Sequence, residues 1–262
     1  MKIHKIFILA MPILWLMSCT APHDNPLDPA SPYYVEPNPP VVEPPDPEFS
    51  TSLHSVHKDR TTFDLYSIDA ELWPETNTII DSVTVQYKDT TPRITHFLSS
   101  SGHWIYTFND NNVDSDDLEG AVGEPFYFTV YTRFDSIWNV GPAYMIRVLH
   151  DTPSTLSPTG GVTVGPFPVL AWNDYNATFP YSYQARVESV DRQTTRVVTV
   201  WESDTLQSNT MSVMVADSLL NTAPDDSSDI LNYLWTIIVY DNFGNSAESI
   251  ESTFKVDAGT SR

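Results

Sequence analysis

From about Thr51 onward, apolar residues recur at every second position in short runs, and few folds accept such a chain. Phe63 and Leu65 alternate with polar neighbours, and Val83, Val85 and Tyr87 point away from Thr84 and Gln86. Trp104, Tyr106 and Phe108 repeat the pattern, as do Phe126, Phe128 and Val130, then Tyr144, Ile146 and Val148. Side chains alternate between faces along a strand, so each run gives one apolar face to bury and one polar face for solvent. Turn-forming pieces such as Pro74-Glu75-Thr76-Asn77 and Ser99-Ser100-Ser101-Gly102 separate the runs, and no stretch sustains a helical period. The expectation is an all-β chain of antiparallel sandwiches.

The segment from Asp151-Thr152-Pro153 to Pro158-Thr159-Gly160-Gly161 reads as a domain junction. Beyond it the pattern restarts at Val169–Trp172, Tyr181–Val190, Arg196–Trp201, Met211–Val215, Tyr233–Tyr240 and Ile250–Val256. Pro168-Val-Leu-Ala-Trp172 resembles the second strand of a fibronectin type III-like domain with its core Trp. Tyr181-Ser-Tyr-Gln-Ala-Arg-Val187 resembles the third strand. Tyr233 through Tyr240, with the turn Asp241-Asn-Phe-Gly-Asn245, resembles the sixth strand and its passage to the seventh. The resemblance is to the variety common in bacterial exported proteins, and it implies a fold more than a role, since such sandwiches host many functions. It breaks at Asp217–Leu231, a long acidic link that leaves a short helix or an extended loop open. Phe126–Val148 and Tyr233–Val256 echo one another as strand, polar turn, strand, which suggests a closing hairpin in each of two tandem sandwiches. The expected layout is an immunoglobulin-like sandwich at 50–150, a fibronectin type III-like one at 151–257 and a tail at 258–262.

The N-terminus reads differently. Lys2 and Lys5 precede an apolar run from Ile6 to Leu16, shorter than the roughly 20 residues needed to span a bilayer, as in a secretory signal peptide. Leu16-Met17-Ser18-Cys19 resembles the lipobox of bacterial lipoproteins. That resemblance implies removal of residues 1–18, acylation (palmitate among the chains) of Cys19, and attachment to the membrane through the lipid. Thr20, in place of the Asp associated with inner-membrane retention, points to the outer membrane or cell surface within the envelope.

Residues 20–49 hold ten of the 21 prolines, six acidic residues, no glycine and no Lys or Arg. Such a segment is expected to be disordered, stiffened toward polyproline II and self-repelling, with a reach on the order of 90 Å at about 3.1 Å per residue. Asp24-Asn-Pro-Leu-Asp-Pro29 resembles a segment that follows the lipidated Cys in some lipoproteins.

Removing residues 1–18 takes away two positive charges, Lys2 and Lys5, so a formal charge of -21 becomes -23. A surface this acidic repels phosphate backbones and anionic headgroups, which excludes nucleic acid as a natural partner. Cys19 is the only cysteine, so no disulfide forms within the chain and stability must come from packing. The supply is ample, with 7 Trp, 13 Tyr and 12 Phe.

Candidates for chemistry are few. The acidic run Asp110–Glu119 places oxygen ligands at alternate positions, as a hard cation requires. An EF-hand loop beginning at Asp110 would need Gly at Ser115 and Glu at Ala121, so that spacing fails and a solvated loop is the plainer reading. His54 and His57 lack a third ligand nearby, and both are expected to be exposed beside the linker. No nucleophile elbow, zinc-protease motif or phosphate loop occurs, and 9 glycines give a nucleotide loop little material. Trp104, Trp172 and Trp235 are expected inside; Trp73, Trp138 and Trp201 at strand ends are expected to be half-buried or to form a platform for sugar rings or a protein.

The reading that results is a membrane-anchored, non-catalytic binding or structural module without cofactor or metal, with any protein or glycan partner met at loops. A carbohydrate-binding surface lipoprotein is the alternative, and a glycan-active enzyme a more distant one. Limited proteolysis of the exported protein should cut first within residues 20–49, because exposed, unpaired chain is the most accessible. A first cut inside either strand-patterned region would refute this layout.

Overall fold

The structure, a computed structural model, describes residues 48–75, 79–133, 135–190, 197–221 and 230–257. The expected signal peptide, Cys19, the expected proline-rich tether up to residue 47, most of the acidic link at 222–229 and the expected tail lie outside the described residues.

The first half of the described chain lays down eight strands: β1 (Phe49–Arg60), β2 (Phe63–Pro74), β3 (Ile80–Tyr87), β4 (Arg93–Ile94), β5 (His96–Leu98), β6 (His103–Asn109), β7 (Pro125–Thr132) and β8 (Ile137–Tyr144). They pair in the orders β1-β2-β6-β5 and β4-β3-β7-β8. Lettered as in immunoglobulin domains, these are ABED and C′CFG, so the first sandwich is immunoglobulin-like. Ile68, Ala70 and Leu72 of β2 meet Val83 and Val85 of β3 and Phe126, Phe128 and Val130 of β7 in an apolar core. Phe126 stacks on Tyr87 at 4.6 Å and takes the edge of Phe108 at 5.4 Å. The acidic run is the connection from β6 to β7. It forms a short helix α1 (Asp110–Val113) and a 3₁₀ turn (Glu119–Ala121), and it drives Val113, Leu118 and Ala121 into the core.

The second half adds β9 (Thr155–Ser157), β10 (Val162–Val164), β11 (Val169–Trp172), β12 (Tyr181–Val190), β13 (Val197–Glu202), β14 (Leu206–Gln207), β15 (Ser212–Met214), β16 (Ile230–Asp241), β17 (Ser246–Glu248) and β18 (Ser252–Asp257). One sheet is β15-β11-β9; facing it, β12 carries β13 and β14 on one side and β16 on the other, with β17 and β18 beyond β16. This is ABE against C′CFG, the fibronectin type III-like arrangement. Trp172 and Trp235 fill its centre, and the Trp235 indole N–H donates to the Pro158 carbonyl at 2.7 Å. The Tyr233 hydroxyl donates to the Leu219 carbonyl, the tyrosine corner of such sandwiches.

The final strand of the second sandwich is split in two, and its outer edge is closed twice. β10 pairs with β18 in parallel, Val162 opposite Phe254. β1, from the first sandwich, pairs with β17 in parallel, Val56 opposite Ser246 and Lys58 opposite Glu248. One sheet of 11 strands therefore runs from the first sandwich into the second.

Four expectations change. Phe63 and Leu65, at the start of β2, are 61% and 41% exposed, because the buried row of that strand is the opposite one, Ile68, Ala70 and Leu72. β1 is a strand of the core sheet, with His57 buried rather than exposed beside a linker. Along β8 the inward residues are Ala143 and then Met145, while Tyr144 and Ile146 face solvent, because a register shift at Phe126/Phe128 moves the phase by one. Trp104 is only half-buried, tilted against Phe97 at 5.2 Å near the sheet edge.

The turn between β16 and β17 is fixed by small residues. Gly244 sits at φ +86, and a Cβ there would lie 2.5 Å from His54 Nδ1. The Ser55 N–H donates to Asn245 Oδ1 at 2.8 Å in a fully buried position. Asn245→Ala should lower unfolding free energy by about 1–3 kcal/mol, the cost of leaving a buried donor unpaired. Gly244→Ala should cost at least about 1–2 kcal/mol from the left-handed backbone alone. Chemical denaturation of the full chain measures both, and wild-type midpoints would show that the contact between the sandwiches contributes nothing.

Candidate functional site

Opposite the core-facing Leu53, Ile68 and Ala70, the same alternation turns Ser52 and His54 of β1, Asp69, Glu71 and Trp73 of β2 and His103 of β6 to the outer face. Antiparallel register sets Ser52 against Glu71 and His54 against Asp69. Glu71 is the hub. Its Oε2 accepts from the Ser52 hydroxyl at 3.2 Å and from the Trp73 indole N–H at 3.1 Å. His54 Nε2 stands 3.7 Å from Oε2, and His103 Nε2 stands 3.7 Å from Oε1. The Trp73 ring lies over His103 at 4.0 Å and leaves it 6% exposed.

His54 also reaches into the second sandwich. A carbonyl only accepts, so the 2.9 Å contact to the Phe243 carbonyl places a proton on Nδ1. The neutral ring would then turn an Nε2 lone pair toward the Glu71 carboxylate, and protonation removes that conflict. Accordingly the hydrogen bond to Glu71, outweighing burial, holds the His54 pKa above its usual value. Burial pushes Glu71 up, but the His54 hydrogen bond and charge and the Trp73 N–H bring it below the usual carboxylate value. Asp69 goes the other way: burial raises it, against a 2.6 Å hydrogen bond from Thr107.

Beside this cluster the seam continues in ionic contacts. Buried Glu248 lies 3.7 Å from Lys58, 3.6 Å from Arg60 and 3.7 Å from Arg186, joining cations of both sandwiches. Asp241 accepts from the backbone of Phe243 and Asn245 and pairs with Arg147 at 3.3 Å. The Arg147 guanidinium lies over the rings of Phe179 and Phe243, at 4.6 and 5.2 Å. The chemistry is spent within the protein, each charged group being met by a partner from the opposite side of the seam or from an adjoining strand.

The other sequence candidates separate. In the acidic run Asp110 accepts from Asn111, and Asp117 accepts from Ser115 and the Glu119 backbone, whose N–H holds the Asp117 carboxyl below its usual value. Glu119 pairs with His150 at 2.6 Å. Among the described residues no three His, Cys, Asp or Glu side chains are placed to share a metal ion. The three Trp of the supposed platform do not meet: Trp201 is buried in the second core, Trp138 packs against the first, and Trp73 covers His103. Among the described residues, one shallow groove runs along Tyr181 and Leu206–Asn209 and another along Asn232–Leu234 and Thr253–Lys255. Neither brings two carboxylates together. Sequence reading missed the Glu71 hub because its histidines lie far apart in the chain and neither carries a motif.

No family model matches the chain, and no curated protein matches it. Among solved structures, the fibronectin(III)-like modules of Clostridium thermocellum CbhA share 10% identity, cover 80% of this chain and 93% of their own, at a TM-score of 0.29. Chicken CNTN1 domains FN1-FN3 share 11% identity over 80% of this chain and 65% of theirs, at a TM-score of 0.25. Scores this low carry no argument, and the assignment of fold rests on strand order.

The His54–Glu71 pair gives a signed pH dependence. The His54 contribution is complete below 6.5 and is lost as pH rises through its raised folded value. The Glu71 contribution is complete above 4.5 and is lost as pH falls through its lowered folded value. Asp69, shifted upward, opposes Glu71 in acid, so the alkaline limb is the cleaner test. Thermal stability should fall as pH rises beyond 6.5, and His54→Gln should flatten that limb. Calorimetry showing identical slopes in the two proteins would remove His54 from the account.

Proposed function

We propose that the protein is a lipid-tethered module of the bacterial envelope that binds or spaces rather than catalyses. In this reading residues 1–18 direct export, Cys19 carries acyl chains that hold the protein to the outer membrane or cell surface, and residues 20–49 stand the folded part away from the lipid. Residues 50–150 and 151–257 are its two domains, presented as one body.

The observation that carries the reading is the pairing of β1 with β17. A connection meant to flex would leave the sandwiches linked by chain alone. Here a shared sheet and paired ions join them, which suits a rigid presenter of surfaces. A glycan-active enzyme would need two carboxylates flanking a cleft. Asp69 and Glu71 instead lie on a sheet face, engaged by Thr107, Ser52 and Trp73.

Changing Cys19→Ser should abolish incorporation of labelled palmitate and leave precursor that retains residues 1–18. Continued labelling of the mutant would place the acyl group elsewhere and overturn the anchoring scheme.

A further inference from the structure

The alternation that sends Phe126, Phe128 and Val130 of β7 into the core sends Tyr127, Thr129 and Tyr131 to the opposite face. Tyr127 and Tyr131 are 50% and 38% exposed, and four residues of strand set them about 13 Å apart. Register supplies their surroundings. Gln86 of β3 lies beside Tyr127 and Thr84 beside Thr129. On the other flank Asn139 of β8 lies beside Thr129 and Ile137 beside Tyr131. Ile94 of β4 completes the Thr84 row, and it and Ile137 are 70% and 61% exposed.

None of these side chains is charged, in a chain of net charge -21, and the charges at the Tyr131 end, Asp81 and Arg133, pair with each other at 3.8 Å. That neutrality is local. The outer face of the other sheet in the same sandwich carries His54, Lys58, Asp69 and Glu71, and that of the second sandwich carries Arg186, Glu188, Glu202 and Glu248. The polar groups between the rings are also oriented. The Thr129 hydroxyl donates to Asn139 Oδ1 at 3.3 Å, which leaves the Asn139 NH₂ as donor to a ligand. Gln86 Nε2 donates to the Lys88 carbonyl at 3.0 Å, which leaves its Oε1 as acceptor.

We propose that this face binds a neutral polysaccharide chain, lying across β3, β7 and β8. The proposal rests on the reading of the protein as a non-catalytic binding module, and it places the surface on a sheet face instead of the expected loops. Tyrosine rings spaced along one strand offer flat apolar area to the C–H faces of successive sugar rings, while amides and hydroxyls between them meet sugar hydroxyls. Charge decides against the other occupants. A second copy of this chain would bring its own large negative charge toward the first, and a polyanion would be repelled likewise. A basic protein would find its counter-charges on the other faces. Strand addition by a second copy is opposed at β8, where Pro142 has no N–H and Gly141 sits at φ +109 beside the Phe126 carbonyl.

The test is native affinity electrophoresis of the full mature chain in gels containing soluble starch, hydroxyethylcellulose, galactomannan or arabinoxylan, with polygalacturonate as the polyanion. At least one neutral polymer should retard the protein, and polygalacturonate should not. Tyr127→Ala and Tyr131→Ala should each weaken retardation roughly 2- to 10-fold without moving the melting temperature, since both rings are exposed. Phe63→Ala, an exposed aromatic elsewhere, should have no effect. No retardation by any neutral polymer, or retardation that survives the double Tyr variant, overturns the proposal. A dimer in sedimentation that Tyr131→Lys dissolves also overturns it, while leaving a binding role intact. Failure of acyl labelling at Cys19 would strike the anchoring scheme alone.

Discussion

A strand at the rim of a sheet leaves its N–H and C=O groups unpaired on one side, and such a row invites pairing with any other extended chain. The last strand of the second sandwich would present a long one. β10 closes the part formed by β18, and β1 closes the part formed by β17. β1 is itself the edge of the first sandwich, so one pairing removes two exposed edges. The neighbouring contacts follow from where that pairing puts them. Ser55 reaches Asn245, His54 reaches the Phe243 carbonyl, and Lys58 reaches Glu248, because β1 runs alongside β17 in this register and no other.

The seam is polar where the two cores are apolar, and the difference has a physical meaning. Apolar burial is non-directional, and it would hold two sandwiches together in many relative positions. Hydrogen bonds and ion pairs are satisfied only in particular geometries, and buried ones are costly when left unmet. Glu248 with three cations around it, and Asp241 between Arg147 and the Asn245 amide, are met in one arrangement. Adhesion and register thus come from different chemistry, the first from aromatic cores and the second from a few carboxylates and an asparagine.

That division explains what could be read in the sequence. Strands that bury an apolar row announce themselves by period two: β3, β6, β7, β11, β12 and β16 lie where the alternation puts them. β1 does not, because its inward positions after Leu53 are Ser55 and His57, polar residues buried by His57's hydrogen bond to the Leu149 carbonyl and by the adjoining seam. A pattern that scores hydrophobicity is blind to a strand whose partners are polar. The phase along β8 was hidden for another reason, a register shift that no composition reveals. The face bearing Tyr127 and Tyr131 was in plain view as the polar half of an alternating run, yet the uncharged rows between its rings appear only when register brings four strands together.

The place of β1 in the sheet also has a mechanical consequence. Tension arriving through the N-terminal segment enters the folded part at Phe49, the first residue of β1, where the Glu75 N–H already clasps the Glu48 carbonyl at 2.9 Å. A pull along the axis of β1 does not peel it from its neighbours one bond at a time. It loads in shear the antiparallel ladder to β2, which spans Phe49 to Arg60, and the parallel ladder to β17 with it. Force entering β1 therefore passes to the second sandwich as well, through the pairs at Val56–Lys58, and the strand least visible in the sequence is the one through which the molecule would bear load.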